Sequence, residues 1–145
     1  MDLDVKSIIQ MGTVSEEATY VKNSLIKYNM QIAPTAAEPP SESINIILKD
    51  KEDHIIGGLL GRMYRFCLFV EMLWVDDNFR GLGLGKGLLT QGEDIAREKG
   101  CKLVHLDTFN FQAPDFYLKN GYELFGKLEG YPEGFIRYFL KKVIF

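Results

Sequence analysis

The strongest constraint on the fold is a change of hydrophobic pattern between residues 66 and 108. Residues 66–75 are almost all apolar, which predicts a central strand. A glycine-rich segment follows, and residues 85–99 then place apolar side chains at helical spacing before Gly100 ends the helix. Residues 103–108 then predict a short second strand. A strand, a helix and a strand in this order predict a right-handed crossover between two parallel strands.

The segments on either side extend this pattern to an α/β fold with a mixed, mostly antiparallel central sheet flanked by helices. The remaining predicted elements are a helix at 15–28, strands at 44–49 and 54–65, a short helix at 114–120, and strands at 122–125 and 135–142. The proline-containing segment 33–41 predicts a loop that is too short to separate two domains. We therefore expect a single domain over residues 1–145.

Composition excludes several classes of protein. With 145 residues, 46% of them hydrophobic, the chain can bury one sizeable core, and its net charge of −3 argues against nucleic-acid binding through overall charge. Cys67 and Cys101 are too few for a thiolate zinc site. Residues 1–6 carry no signal-like pattern, and no apolar stretch approaches the ~20 residues that span a bilayer. We expect a cytoplasmic protein with no membrane partner, and an exposed sheet edge would permit a homodimer.

Residues 75–87 lie between a predicted strand and a predicted helix start. Their sequence is Val-Asp-Asp-Asn-Phe-Arg-Gly-Leu-Gly-Leu-Gly-Lys-Gly. Glycines let the backbone approach a ligand, and the unpaired amides of a helix start favour an anion, most often a phosphate. Dinucleotide-binding spacing fails because Lys86 or Leu88 stands where the third glycine is required. The P-loop pattern fails because Arg80 replaces its first glycine and Gly87 follows its lysine.

The pattern Arg80-x-x-Gly83-x-Gly85 resembles the pyrophosphate loop of the GNAT family of N-acetyltransferases. Two flanking segments extend the resemblance over roughly residues 66–125, in the family's order and spacing: 73–75 before the loop and 108–122 after it. The resemblance implies a fold in which the family's parallel fourth and fifth strands splay apart. It also implies direct acetyl transfer from acetyl-CoA to an amine, without a covalent enzyme intermediate or a metal.

The same resemblance assigns residues to the co-substrate. The backbone of Leu73 and Val75 would pair with the pantetheine arm, and the amides of residues 82–86 would hold the pyrophosphate. Arg80 would either contact phosphate or brace the loop. Trp74 is among the implied cofactor-binding residues, but its size and apolarity favour a place in the core. The full set of implied cofactor-binding residues is Leu73, Trp74, Val75, Arg80, Gly81, Leu82, Gly83, Leu84, Gly85, Lys86, Asn110, Ala113 and Phe116.

Two residues are candidates for catalysis. Tyr117 matches the family's usual general acid, and the unperturbed pKa values of a phenol and a thiol lie within ~2 units of each other. Glu71 is the candidate base, because even spacing along the strand predicts that it shares a face with Leu73 and Val75. His105 and Asp107 also share a face, but without a serine or cysteine nucleophile they indicate a structural histidine.

The acceptor is constrained only loosely by the sequence. The residues expected to contact it are Tyr28, Glu71, Thr108 and Tyr131. Aromatic and acidic groups together suit a small cationic amine. The alternative is a non-catalytic acyl-CoA-binding or regulatory module with the same fold, which would have no need of an acid at Tyr117.

Overall fold

The computed structural model describes residues 4–37 and 41–145. These residues divide into an N-terminal unit, ending before residue 39, and a larger unit. Residues 1–3 of the N-terminal segment and residues 38–40 of the predicted loop lie outside the described residues. A single domain over the whole chain stays a prediction.

The N-terminal unit contains α1 (Glu16–Ile32). The side chain of Ser15 accepts a hydrogen bond of 3.1 Å from the Ala18 amide, which satisfies one of the free donors at the helix start. The predicted start is therefore confirmed, while the helix continues past the predicted end at residue 28. A single turn of 3-10 helix, Pro34–Ala37, follows.

The larger unit is a six-stranded sheet with two helices. Its elements are β1 (Glu42–Lys49), β2 (Ile55–Tyr64), β3 (Cys67–Val75), α2 (Leu84–Glu98), β4 (Leu103–Phe109), α3 (Pro114–Lys119), β5 (Glu123–Leu128) and β6 (Arg137–Val143). The strand order is β1-β2-β3-β4-β6-β5. Among the described strands, only β3 and β4 pair in parallel, with α2 between them in the chain, which confirms the predicted α/β class and the mixed sheet.

The core lies between one face of the sheet and the two helices. Alternate residues of β2 and β4, such as Leu59 and Val104, are fully buried, and Leu88, Leu89 and Ala96 of α2 cover them. Gly92 lets α2 come close to the sheet, because a Cβ there would lie 3.2 Å from the side chain of Leu59. The sheet's outer strands, β1 and β5, are its two edges. A homodimer through either edge stays a prediction.

A buried polar network joins α2 to the C-terminal half of the sheet. The carboxylate of Glu93, 6% exposed, accepts a hydrogen bond of 2.7 Å from the Tyr122 hydroxyl and another of 2.9 Å from the Lys142 ammonium. Lys142 also donates to the Asn120 carbonyl at 3.0 Å, where α3 ends. Burial and the Glu93 carboxylate raise the pKa of Tyr122, so this phenol stays a donor. The network fixes the two helices against the same strand.

We expect Glu93→Ala to lower the free energy of unfolding by about 3 kcal/mol, because it leaves a buried hydroxyl and an ammonium without their shared acceptor. Glu98→Ala makes the same change at an exposed position of α2 and should alter stability by less than about 0.5 kcal/mol. Urea unfolding followed by circular dichroism measures both. Equal effects of the two substitutions would contradict a structural role for the network.

Among the described residues, no helix is long and apolar enough to cross a membrane.

Candidate active site

The central feature of the site is a gap in the sheet where β3 and β4 part. Their parallel pairing runs from Cys67 with Leu103 to Val70 with Leu106 and then stops, although both strands continue. A cavity of about 350 Å³ occupies the gap. It is lined by residues 70–74 of β3 and by Asp107, Thr108, Gln112, Ala113 and Tyr117. We call it the cleft.

Tyr117 of α3 contributes a phenol to the cleft. Its ring packs edge-on against the rings of Phe116 and Tyr122, at centroid distances of 5.1 and 5.9 Å, and the residue is 9% exposed. Burial, helped by the negative charge of Asp107, raises the pKa of Tyr117 to about 12. The Tyr117 hydroxyl makes no hydrogen bond with the described residues. None of their side-chain polar atoms is both fully buried and without a partner, so this hydroxyl is not fully buried. The hydroxyl is therefore protonated and open to the cleft.

Glu71 lies at a bulge in β3. Leu60 of β2 pairs with Met72 and Gly61 pairs with Val70, so Glu71 is the extra residue. The bulge reverses the alternation of faces: Leu73 packs on the core, whereas the Glu71 carboxylate lies 3.5 Å from Arg62 on the other face of the sheet. The prediction that Glu71 shares a face with Leu73 and Val75 is wrong for this reason. Glu71 nevertheless lines the cleft, and its role as base stays a prediction.

A second carboxylate, Asp107, lines the cleft from β4. Arg137 of β6 holds it with a hydrogen bond from Nε to Oδ1 at 3.0 Å and an ion-pair contact between Nη2 and Oδ2 at 2.9 Å. A bidentate pair of this kind fixes the orientation of both side chains. His105, two residues earlier on the same face, stacks on Phe69 with 5.0 Å between ring centroids, and burial lowers its pKa. This agrees with a structural histidine.

Gln112, which the sequence did not single out, organises the end of β4. Its side-chain oxygen accepts hydrogen bonds from the Phe109 amide at 2.7 Å and from the Thr108 hydroxyl at 3.2 Å. Both hydrogen bonds use the side-chain oxygen of Gln112, so its NH₂ group remains a donor at the cleft wall. Asn110 uses its side-chain oxygen differently, accepting from the Ile136 amide at 3.2 Å, and it does not line the cleft. Its predicted contact with the cofactor arm stays a prediction.

The glycine-rich loop, residues 81–87, lies after the end of β3 and includes the start of α2. Gly81 and Gly83 have φ angles of 78° and 79°, a conformation that L side chains rarely adopt. The first hydrogen bond within α2 runs from the Gly87 amide to the Gly83 carbonyl, so the amides of residues 84–86 have no partner inside the helix. A Cβ at Gly81 or Gly83 would meet no atom within 4 Å, so the loop faces open space. This arrangement fits an anion bound by backbone amides.

Arg80 braces this loop. Its Nε donates to the Val75 carbonyl at 3.2 Å, and its Nη1 lies 3.0 Å from the Asp77 carboxylate. Its side chain remains 63% exposed and lines the pocket over the glycines. These contacts fit the bracing role, and a contact of Arg80 with phosphate stays a prediction.

A second cavity, of about 500 Å³, connects the cleft to the loop. It shares Leu73, Trp74, Gln112, Ala113 and Tyr117 with the cleft and reaches Arg80, Gly85 and Phe116. Trp74 is 49% exposed, so the expectation that it belongs to the core is wrong: the bulge at Glu71 turns it to the open face. Of the predicted cofactor residues near the loop, Gly81, Gly83, Leu84 and Lys86 line the adjoining pocket, while Leu82 is 69% exposed and lines none of these three cavities.

The predicted acceptor residues are not all brought together. Thr108 is buried at the cleft wall, and Glu71 lines the same cleft. Tyr131 lies in the segment before β6, with its ring edge-on to Phe109 at 5.1 Å between centroids, and does not line the cleft. Tyr28 belongs to α1 in the N-terminal unit. The acceptor roles of Tyr28 and Tyr131 therefore stay predictions.

Comparison with known proteins identifies the class to which this fold and site belong. The sequence profile of the acetyltransferase (GNAT) family matches residues 13–122. The chain is 33% identical over 137 residues to a blasticidin-S acetyltransferase of Streptomyces morookaense, which covers 94% of this chain and 97% of the relative. The chain belongs to the GNAT family and is an N-acetyltransferase.

Solved structures agree with this assignment. A crystal structure of an acetyltransferase from Bacillus cereus matches with a TM-score of 0.85 and 42% identity, covering 94% of this chain and 97% of that chain. A Bacillus anthracis protein, described as a streptothricin acetyltransferase and solved in complex with acetyl coenzyme A, matches with a TM-score of 0.63 and 25% identity, over 73% of this chain and 64% of that chain.

Proposed function

We propose that this chain transfers an acetyl group from acetyl-CoA directly to a primary amine of a small-molecule or peptide acceptor, with Tyr117 as general acid. The observation that carries the proposal is the continuous channel from the glycine-rich loop to the cleft, into which the Tyr117 hydroxyl opens. The structure of a relative with acetyl coenzyme A supports the choice of co-substrate.

The channel fits the parts of that co-substrate in order. The free amides of residues 84–86 and the positive end of α2 suit the pyrophosphate. The backbone of β3 beyond Val70 has no pairing with β4, so its polar groups are available to an amide-containing arm. Leu73, Val75 and Phe116 supply apolar contacts along the same wall.

Tyr117 supplies the proton that the departing thiolate needs. Burial raises its pKa to about 12, so the phenol keeps its proton at neutral pH and remains a hydrogen-bond donor. The difference between the pKa of Tyr117 and that of a thiol is therefore larger than the unperturbed values indicate. The hydroxyl acts as a hydrogen-bond donor to a sulfur that is gaining negative charge. Glu71, at the cleft, would accept the ammonium proton directly or through water.

The acidic residues at the cleft suit a cationic acceptor, although each carboxylate is also paired with an arginine, Glu71 with Arg62 and Asp107 with Arg137. Of the described residues that line it, two are acidic, Glu71 and Asp107, and none is basic. The exposed face of Trp74 adds a surface on which a cation can rest. Two relatives act, by name, on blasticidin S and streptothricin, which makes these compounds the first acceptors to try.

An amine panel tests the acceptor class. Release of free CoA thiol would be followed with acetyl-CoA and blasticidin S, streptothricin, a polyamine, an aminoglycoside, a peptide with a free N-terminus, and glutamate as an anionic amine. We expect kcat/KM to be highest for the cationic amines and to fall with increasing salt. A preference for the anionic amine alone would contradict the proposal for the acceptor while leaving the co-substrate untouched.

A further inference from the structure

Gln112 supplies an unpartnered hydrogen-bond donor where the cleft joins the second cavity. It lines both spaces, as Tyr117 also does. The Gln112 NH₂ group and the Tyr117 hydroxyl make no hydrogen bond with the described residues. The proposed acid is therefore accompanied at this junction by a neutral donor from a different segment.

The orientation of the Gln112 amide is determined by its partners. A backbone N–H can only donate, so the group that meets the Phe109 amide at 2.7 Å must be the side-chain oxygen. The same oxygen accepts a hydrogen bond of 3.2 Å from the hydroxyl of Thr108, a buried residue. Because two donors hold the oxygen, the NH₂ group is oriented before any ligand binds.

The reacting carbonyl group lies at this junction if Tyr117 is the acid. The sulfur must then come within hydrogen-bond reach of the Tyr117 hydroxyl, and the thioester carbonyl carbon is bonded to that sulfur. Of the described residues that line both spaces, those with a side-chain donor are Trp74, Gln112 and Tyr117. The Trp74 indole is 49% exposed and makes no hydrogen bond with the described residues, whereas Gln112 is held by two. Gln112 is therefore the oriented donor that remains for the carbonyl oxygen.

We propose that the Gln112 NH₂ group donates a hydrogen bond to the thioester carbonyl oxygen of acetyl-CoA and stabilises the negative charge that develops on it. This inference rests on the proposed function. As the lone pair of the acceptor amine forms the C–N bond, the π electrons of the carbonyl group move to its oxygen. When the double bond forms again, the C–S bond breaks and the sulfur leaves with the electron pair and takes the Tyr117 proton. The amine proton passes to Glu71 or to water, solvent restores both groups, and Gln112 exchanges no proton.

Infrared difference spectroscopy of bound acetyl-CoA, isotope-labelled at the thioester carbonyl, detects this hydrogen bond directly. A hydrogen bond lowers the stretching frequency of a carbonyl group, so we expect the band at lower wavenumber in the wild-type protein than in Gln112→Glu and Gln112→Met. Gln112→Glu keeps an oxygen for the Phe109 amide but loses the donor, and Gln112→Met removes the donor without adding charge. Gln91→Glu adds the same charge at an exposed position of α2, outside both spaces, and should leave the band unchanged.

Steady-state kinetics and calorimetry give a second readout. Loss of one such donor typically lowers kcat by about 100- to 1,000-fold, so Gln112→Glu should lower kcat by at least about 100-fold. The dissociation constant of acetyl-CoA should stay within about threefold, because the hydrogen bond strengthens mainly as charge develops on the oxygen. Gln91→Glu should leave both quantities unchanged.

The outcomes separate this inference from the proposed function. A carbonyl band at the same position in the wild-type protein and in both Gln112 variants would overturn the role of Gln112 while leaving acetyl-CoA as co-substrate. A shift in Gln112→Glu alone would also overturn it, because the added charge would then be the cause. An unchanged kcat in Gln112→Glu would have the same meaning. Absence of any bound carbonyl band in the wild-type protein would instead contradict the proposed function itself.

Discussion

Tyr117→Phe is expected to lower kcat by about 100- to 10,000-fold, the range typical for loss of a general acid. The dissociation constant of acetyl-CoA should change by less than about twofold, because the ring, which makes the packing contacts with Phe116 and Tyr122, is retained. The hydroxyl has no hydrogen-bond partner in the described protein, so its removal leaves no buried group unpaired. Steady-state kinetics and calorimetry on the variant measure the two quantities.

Tyr122→Phe is the matched control, since it removes a hydroxyl from the neighbouring aromatic residue. That hydroxyl donates to Glu93 and does not reach the cleft, so kcat should stay within about twofold while the free energy of unfolding falls by about 1 to 2 kcal/mol. An unchanged kcat in Tyr117→Phe, with acetyl transfer rate-limiting in single-turnover experiments, would contradict the role of Tyr117 as acid.

The pH dependence of kcat has a defined sign. Because burial raises the pKa of Tyr117 to about 12, the phenol remains protonated throughout the range in which the enzyme can be assayed. Deprotonation of Tyr117 should therefore cause no decline of kcat near pH 10, the ordinary pKa of tyrosine. A decline centred near pH 10 that is absent in Tyr117→Phe would mean that the phenol is exposed rather than buried.

The double substitution Gly81→Ala and Gly83→Ala is expected to weaken acetyl-CoA binding by about 100-fold. Both glycines have φ near 80°, and an alanine in this region costs roughly 1 to 2 kcal/mol per residue. Relaxation to negative φ would turn the amides at the start of α2 away from their common direction, with loss of charge-assisted hydrogen bonds to the pyrophosphate. Calorimetry with acetyl-CoA measures the effect.

Gly87→Ala provides the control within the same glycine-rich run. Gly87 lies inside α2, where a Cβ would meet no atom within 4 Å, so alanine should stabilise the helix by up to about 1 kcal/mol and leave binding unchanged. Equal weakening by Gly87→Ala would indicate that the loss of space over the loop, and not the backbone conformation at Gly81 and Gly83, controls affinity.

Much of the fold could be predicted because local pattern and fold agree. The change from strand to helix period around the glycine-rich segment identified β3, α2 and β4, with boundaries close to those observed. The position of β6 between β4 and β5 could not be predicted from the local sequence pattern, because chain order does not specify which strand an antiparallel strand pairs with. It matters for the site because β6 brings Arg137 to Asp107.

The candidate site could be predicted where backbone chemistry dominates. Alternating glycines before a helix already specify an anion site, and Gly81 and Gly83 adopt the conformation that requires glycine. The bulge at Glu71 could not be predicted, because no glycine or proline in β3 marks it, and one extra residue reverses the faces of Glu71 and Trp74. Gln112 was missed because its importance depends on the hydrogen bond to the Phe109 amide, a contact formed only in the fold.

Calorimetric titration of the purified protein with acetyl-CoA, with NAD and ATP as controls, tests the central claim most directly. The glycine-rich loop is open to any diphosphate in principle, but only acetyl-CoA has an arm that can follow the channel to Tyr117. We expect saturable binding of acetyl-CoA and no measurable binding of NAD or ATP at the same concentrations. Binding of NAD or ATP without acetyl-CoA would contradict both the interpretation of the loop and acetyl-CoA as the co-substrate.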